Sequence, residues 1–368
     1  MASLDDYLRS EMLKRDISFA DFMEIALYHP EWGYYNAENI DLGTKGDFTT
    51  APEISPLFAK CLARQIQQIS PASLLEAGAG TGRLASDLLT ELNKLGCLPS
   101  HYYIYEISSA LRKKQQALLQ STLPEFFSRI IWLDTLPENF SGTIIANEVL
   151  DALPVHLFRV EKDGVKEKFV TWENNQFAWK YLEPSGEYRE EAERIRELYH
   201  LPEGYEFEIN FYLSAFIASL AYSLREGIIL FSDYGYGERE YYHPQRLRGT
   251  LTCFYQHRSY DNPLIFPGLM DITAHVDFTR VIENASGLGL SLAGFTTQSS
   301  FLLSCGLMDF AGECEESLDE AGKLELHQAI KILTLPTEMG ERVKFMALSK
   351  GVDLELCGFE FQDRSRDL

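Results

Sequence analysis

Ser73-Leu74-Leu75-Glu76-Ala77-Gly78-Ala79-Gly80-Thr81-Gly82-Arg83-Leu84 is the stretch on which the fold turns. Five residues of strand character run into three glycines spaced G-x-G-x-G, and a helical pattern follows over about 84–95. Strand, tight turn and helix in that order open a βαβ unit. The alternation continues outward: Tyr102-Tyr103-Ile104-Tyr105 reads as a second strand, 109–119 as a second helix, and 129–133 and 143–146 as the third and fourth strands. After a break it resumes with strands at 227–233, 290–296 and 342–349 and helices at 272–283 and 319–333. The pattern predicts an α/β class protein, a doubly wound, Rossmann-like seven-stranded sheet with right-handed crossovers.

The flanks read differently. Residues 1–70 form an N-terminal helical region interrupted by a long loop. Ser18 and Asp21 mark a helix start, and Phe19, Phe22, Met23, Ala26 and Leu27 keep helical spacing until His29-Pro30 stops the run. Gly33, Asn36, Asn39, Gly43 and Gly46 then punctuate a loop long enough to suggest a lid. Residues 71–155 and 227–350 make up the core. Between them, 156–226 is an inserted subdomain for a substrate or a dimer partner: a β-meander over 157–161, 168–173 and 177–182, then helices near 190–199 and 211–225. Residues 351–368 form a C-terminal tail.

The chain has 55 acidic and 33 basic side chains, a formal charge of −22, with 45% hydrophobic residues. That composition supports a globular core and excludes dominant disorder. The sign argues against nucleic acid, whose phosphates it would repel, and favours basic partners such as Lys- or Arg-bearing protein segments. Six cysteines (Cys61, Cys97, Cys253, Cys305, Cys314 and Cys357) are scattered with no C-x-x-C pair, which fits a reducing compartment. No apolar run reaches membrane-spanning length, and Met1 to Lys14 has neither an apolar h-region nor an Arg-rich, acid-poor character. Cytoplasmic location and no membrane insertion are the expectations.

Glycines at a strand–helix turn let backbone approach a ligand and aim helix N–H groups at it. Here Gly78, Gly80 and Gly82 depart from the dinucleotide spacing G-x-G-x-x-G. Glu76, two residues before the first glycine, would repel a pyrophosphate but attract a cationic amino-acid moiety. Glu106 follows the second strand, 24 residues after Gly82, where ribose hydroxyls are held in such folds. This charge logic selects S-adenosyl-L-methionine, a cation without phosphates, as the cofactor. The plain alternative is a tight structural turn beside a surface glutamate.

In open parallel sheets ligands sit beyond the carboxyl ends of strands. Asn147-Glu148-Val149-Leu150-Asp151 follows the fourth strand, so Asn147 faces the cofactor cleft, and Glu148 and Asp151 are candidates for orienting a methyl acceptor. Asp151 reads equally as a helix or turn cap. Asp233 ends a further strand and is expected to point to the same cleft. The stretch 46–53 reads either as a lid over the cofactor or as a helix start, with Thr50 as N-cap and Pro52 and Glu53 in the first turn. His257, Asp271, His275 and Asp277 have metal-ligand residue types, but Asp271 also reads as the N-cap of the 272–283 helix, and no metal is expected. No G-x-S-x-G elbow supports a serine hydrolase.

Taken together, the motifs resemble the MidA-like methyltransferases, the family of the mitochondrial complex I assembly factor, over roughly 19–350. The resemblance rests on Tyr28-His29-Pro30-Glu31-Trp32-Gly33-Tyr34-Tyr35, Gly46-Asp47-Phe48-Thr49-Thr50-Ala51-Pro52-Glu53, the turn at 76–82, Tyr105-Glu106, Asn147-Glu148 through Pro154, Asp233-Tyr234-Gly235, Arg248-Gly249-Thr250-Leu251 and Asp271 through Phe278. It implies a class I methyltransferase fold and S-adenosylmethionine-dependent transfer to protein arginine, with the quinone-module core subunit of NADH:ubiquinone oxidoreductase as the mitochondrial acceptor. By position it implies that Gly46, Asp47, Gly78, Gly80 and Glu106 hold the cofactor and that Glu148, Asp151 and His275 lie near the acceptor. The segment after Gln256-His257 departs from the motif set. An assembly or binding protein without turnover, or a small-molecule methyltransferase, stands as the alternative, and a homodimer is compatible with the insertion.

Overall fold

The computed structural model describes residues 3–37, 49–256 and 258–368. Seven strands build the central sheet: β1 (Ser73–Ala77), β2 (His101–Tyr105), β3 (Ile130–Leu133), β4 (Phe140–Asn147), β5 (Leu224–Tyr236), β6 (Ser291–Thr297) and β7 (Val343–Lys350), in the spatial order β6-β7-β5-β4-β1-β2-β3. The first five are mutually parallel. β7 enters antiparallel to β5 and β6, with Phe231 opposite Met346 and Phe295 opposite Met346 from the other side. A two-residue strand, Val276–Asp277, adds to the far end of β5 through Gly235 and Tyr236.

Both faces of this sheet are covered, which is why its strands are continuously apolar rather than alternating. Leu74, Ile145, Ile228 and Leu230 pack into one core with the helices Pro56–Ile69 and Arg83–Lys94. Leu75, Ile144, Ile229 and Phe231 pack into the other with Tyr212–Ser223 and Phe278–Ala285. Residues 351–368 fold back onto the sheet edge. Phe359 meets the ring of Phe301 edge-on, the Gly358 N–H donates to Gln65 Oε1 (2.9 Å), and the Arg364 N–H donates to the Phe295 carbonyl (2.6 Å).

The insertion is a meander of His156–Glu161, Gly164–Glu173 and Gln176–Leu182, joined by Glu206–Ile209 and, from the N-terminal region, by Ile17–Ser18. Ser18 caps the Phe19–Tyr28 helix by accepting from the Asp21 N–H (3.1 Å). Phe19, Phe22, Met23, Ala26 and Leu27 are all buried, in a third core shared with Val170 of the meander and Ile272. The N-terminal helices thus bridge the insertion and the far end of the main sheet.

Two local expectations are corrected. Residues 272–283 are not one helix: Asp271–Thr273 is a strand, and the helix begins only at Phe278, capped by Asp277, whose carboxylate accepts from the Arg280 N–H (3.2 Å). Ile272 is buried in the third core and its strand pairs with Thr252–Tyr255, so tertiary burial overrides the helical spacing. No strand is expected from the sequence between 233 and 290, yet Thr252–Tyr255 and Arg258–Tyr260 form a small antiparallel sheet with Asp271–Thr273.

Candidate active site

The sheet order places β1 between β4 and β2, with Ala77 level with both Tyr105 and Ala146. Three loops that are far apart in sequence therefore leave the sheet side by side at a topological switch point. They open on a cleft of about 360 Å³, lined by the 76–84 turn, Glu106, the 147–153 loop and, from outside the sheet, Tyr28, Tyr35, Thr50, Pro52, Glu53, Phe216, Asp271 and Thr273.

The glycine turn has the geometry its residues require. Gly78, Gly80 and Gly82 have φ of +69°, +52° and +87°, a region that costs other residues about 1–2 kcal/mol. A Cβ at Gly78 would lie 2.9 Å from a Val149 methyl, whereas one at Gly80 would project into open space within the cleft. Gln115, buried on the Ser109–Thr122 helix, ties this turn to its surroundings. Its Nε2 donates to the Gly80 carbonyl (2.9 Å) and to Glu106 (3.1 Å), while its Oε1 accepts from the Trp132 indole (2.9 Å). The sequence carries one sign of it: Leu111, Gln115 and Leu119 share a helix face, and only the middle one is polar.

Glu76 and Glu106 are 2% and 5% exposed. Burial pushes the Glu76 carboxyl up to about 7, against a hydrogen bond from the Tyr102 hydroxyl (2.8 Å) and aided by the nearby charge of Glu106. Glu106 is also raised by burial, opposed by bonds from the Ser108 N–H (2.9 Å) and Gln115. Acids held this way gain from an incoming cation or a pair of hydroxyls.

Glu148 sits in the left-handed region (φ +52°). Its N–H continues the ladder to the Ser232 carbonyl (2.8 Å) before the chain turns sharply. Its Oε1 accepts from the Ala51 N–H (3.2 Å) and from the Asn147 amide (3.3 Å). Its Oε2 and the Asn147 Oδ1 are buried and find no partner among the described residues. Burial, with help from Asp233, raises the Glu148 carboxyl to about 8. Asp151 is likewise raised, by burial and then by Asp233, Glu148 and Asp271. The strained backbone and orphaned acceptors mark this loop as the place built for a ligand.

Thr50, Pro52 and Glu53 line the cleft. Thr50 is the N-cap of Ala51–Ile54 by position, with no side-chain cap bond, and the Thr81 hydroxyl donates to Glu53 Oε1. Gly46 and Asp47 lie outside the described residues, as does His257.

Two expected members stand elsewhere. Asp233 is fully buried beneath the loop, where one oxygen accepts from the N–H groups of Val149 (3.0 Å), Leu150 (2.8 Å) and Asp151 (3.4 Å). It shapes the 148–151 turn without lining the cleft. His275 is placed off the cleft too. It packs between Tyr234 and Tyr236 and borders a separate void of about 10 Å³ with Asp277 and Arg280. Burial, with nearby arginines and a lysine, lowers it to about 3, so it stays neutral. Asp271 went the other way. Read as a helix cap or metal ligand, it lies instead in the cleft wall, 5% exposed, accepting from the Tyr35 hydroxyl (2.8 Å).

A parallel sheet with an antiparallel seventh strand, a left-handed glycine turn and acids at neighbouring strand ends define a nucleoside-binding transferase site. The buried acids suit a ligand carrying an ammonium and a sulfonium. Residues 57–296 match the family model described as "Putative S-adenosyl-L-methionine-dependent methyltransferase". The mitochondrial protein arginine methyltransferase NDUFAF7 of Mus musculus is 31% identical over 90% of this chain and 80% of its own length. The Drosophila melanogaster homolog is 30% identical over 95% and 85%. A solved superfamily member from Burkholderia thailandensis, bound to S-adenosyl-homocysteine, is 38% identical, with a TM-score of 0.93, covering 99% of this chain and 96% of that one. The chain belongs to the S-adenosyl-L-methionine-dependent methyltransferase family.

Gly78→Val places a branched side chain against Val149 at a positive φ and closes the backbone approach. Calorimetric titration with S-adenosylmethionine is expected to show binding weakened by roughly 100-fold or more, with the circular dichroism of the fold retained.

Proposed function

We propose that this protein transfers methyl groups to an arginine side chain of a protein. The observation that carries the reading is the cluster of Glu148, Asp151 and Asp271 in one wall of the cleft, where Glu148 has a buried oxygen without a partner among the described residues. The names of the NDUFAF7 relatives support the same acceptor.

Glu76, Glu106, the Gly78–Gly82 turn and Asn147 would hold the cofactor, which supplies an electrophilic methyl on sulfur. Glu148 and Asp151 then act on the acceptor. A guanidinium with pKa above 12 is cationic and weakly nucleophilic. Carboxylates that accept from its remaining N–H groups localise a lone pair on the reacting nitrogen and fix its direction, so catalysis is chiefly orientation plus electrostatics. The proton shed by the alkylated nitrogen passes to the carboxylate held closest, Glu148 Oε2 or Asp151.

The acceptor class proposed is a protein resembling the quinone-module subunit of NADH:ubiquinone oxidoreductase, met in the cytoplasm, with the 156–226 insertion receiving it or a second copy of this chain. Free cysteines fit a reducing compartment, and among the described residues no helix is long and apolar enough to cross a membrane. Incubating the protein with lysate and tritiated S-adenosylmethionine, then mapping the label, tests the reading. Label on protein arginine is expected. Label in RNA or a small molecule, or none at all, would overturn it.

A further inference from the structure

We propose that Asp271 and the Tyr28–Tyr35 pair form an acceptor slot shaped for a planar guanidinium, with Asp271 and Asp151 meeting its N–H edge and the tyrosine rings lying along its face. The inference rests on the protein-arginine reading above and refines it.

The slot is assembled from four separate pieces of chain. Tyr28 ends the helix Phe19–Tyr28, and Tyr35 lies in the short turn of helix Tyr34–Asn36 that follows. Their rings stack at 5.5 Å and 27°. Each hydroxyl is tied to a different segment of the cleft wall: Tyr28 donates to the Ala152 carbonyl (2.8 Å) and Tyr35 to Asp271 Oδ1 (2.8 Å). The two acid-bearing segments are joined directly, since the Ala274 N–H donates to the Asp151 carbonyl (3.0 Å). Tyr35 is anchored in turn to the cofactor side, its carbonyl accepting from the Ser108 hydroxyl (2.5 Å), two residues from Glu106. The rings and acids are therefore held in fixed relation to the strand ends that carry the cofactor residues.

Independent of the acids' clustering, the Glu148 Oε2 and Asn147 Oδ1 atoms are buried acceptors with no donor among the described residues, and both residues line this cleft. A ligand that donates several hydrogen bonds would satisfy them. The lining is also unbalanced in charge. Glu53, Glu76, Glu106, Glu148, Asp151 and Asp271 face Arg83, which is itself paired with Asp87 at 2.7 Å. Burial first, and then its acidic neighbours, raise the Asp151 carboxyl, and the repulsion between the acids is relieved when a cation arrives.

Shape chooses among cations. A guanidinium offers donors in a rigid fork, pairs edge-on with carboxylates, and stacks on aromatic faces, whereas an ammonium is a compact and strongly hydrated point charge. Two stacked rings beside two buried carboxylates match the first and leave the second poorly solvated. Asp271 is the contact residue in this arrangement, and Tyr35 is its positioning residue.

The test is binding of methylguanidine and methylammonium to the full chain saturated with S-adenosyl-homocysteine, followed by NMR, with Asp271→Asn and Tyr35→Phe alongside. The wild type is expected to prefer methylguanidine at least 10-fold. Asp271→Asn is expected to weaken methylguanidine roughly 10- to 100-fold, with S-adenosyl-homocysteine affinity within twofold. Tyr35→Phe, which retains the ring and removes the anchor, is expected to lower the guanidine-to-ammonium preference without changing thermal stability appreciably. Should both variants bind methylguanidine as the wild type does, this slot is wrong while the arginine reading stands. A wild type that prefers methylammonium overturns both.

Discussion

Glu148→Gln is expected to lower methyl transfer by roughly 10²- to 10³-fold while leaving S-adenosylmethionine affinity nearly unchanged. The glutamine carbonyl can still accept from the Ala51 N–H, so the loop beside the cofactor keeps its shape. What is lost is the charge on the second oxygen, which has no partner in the cleft among the described residues and which the acceptor's N–H groups would meet. Single-turnover transfer measured beside calorimetric binding separates the two effects. Equal loss in both would assign Glu148 to cofactor binding, and no loss in either would remove it from the site.

The second large effect concerns pH. Glu76 (about 7), Glu148 (about 8), Asp233 (about 7) and Asp277 (about 7) are all raised by burial. Between the ordinary carboxyl range and pH 8 the folded protein keeps protons that the unfolded chain has released, so stability falls as pH rises through that window. His275 opposes this. Lowered to about 3, it favours folding increasingly as pH rises from about 3 to 6.5, after which it adds nothing further. Four carboxyls against one imidazole leave a net decline, steepest near pH 6 and easing above pH 7 as the acids ionise. Ligand-free protein is therefore expected to melt roughly 5 °C lower at pH 8 than at pH 5.5. S-adenosyl-homocysteine lacks the sulfonium charge, so S-adenosylmethionine should recover more of the difference at pH 8. Glu148→Gln should flatten the dependence. A melting temperature that rises from pH 5.5 to 8 would mean these acids are ionised in the fold and paired by groups not identified above.

Much of the cofactor half of the site is local chemistry. The turn needs glycine at 78, 80 and 82 because each adopts a positive φ. Acids at strand ends were placed near the ligand by a rule of open sheets that needs only strand positions. The acceptor half depends on contacts between residues far apart in the chain. Tyr35 and Asp271 are 236 positions apart and hydrogen-bonded. Asp233 was drawn toward the cleft by its strand end and His275 by the family resemblance, yet Asp233 turned beneath the 148–151 loop to satisfy three backbone N–H groups. His275 packed between Tyr234 and Tyr236, outside the residues that line the cleft. A strand end says where a residue lies, while its neighbours' unpaired groups decide which way its side chain turns.

The sheet and its alternation are legible in the residues alone, because apolar strand runs separated by helical segments are what a parallel sheet covered on both faces requires. The sequence also determined the glycine turn and the acidic character of the cleft, since backbone conformation and charge belong to the residues themselves. Long-range contacts alone bring the N-terminal tyrosines, the 147–153 loop and Asp271 into one wall. They likewise decided that 271–273 is a strand rather than a helix start, because burial of Ile272 and pairing with Thr252–Tyr255 outweigh local spacing. Those outcomes come from contacts between distant segments, whose energies no local pattern contains.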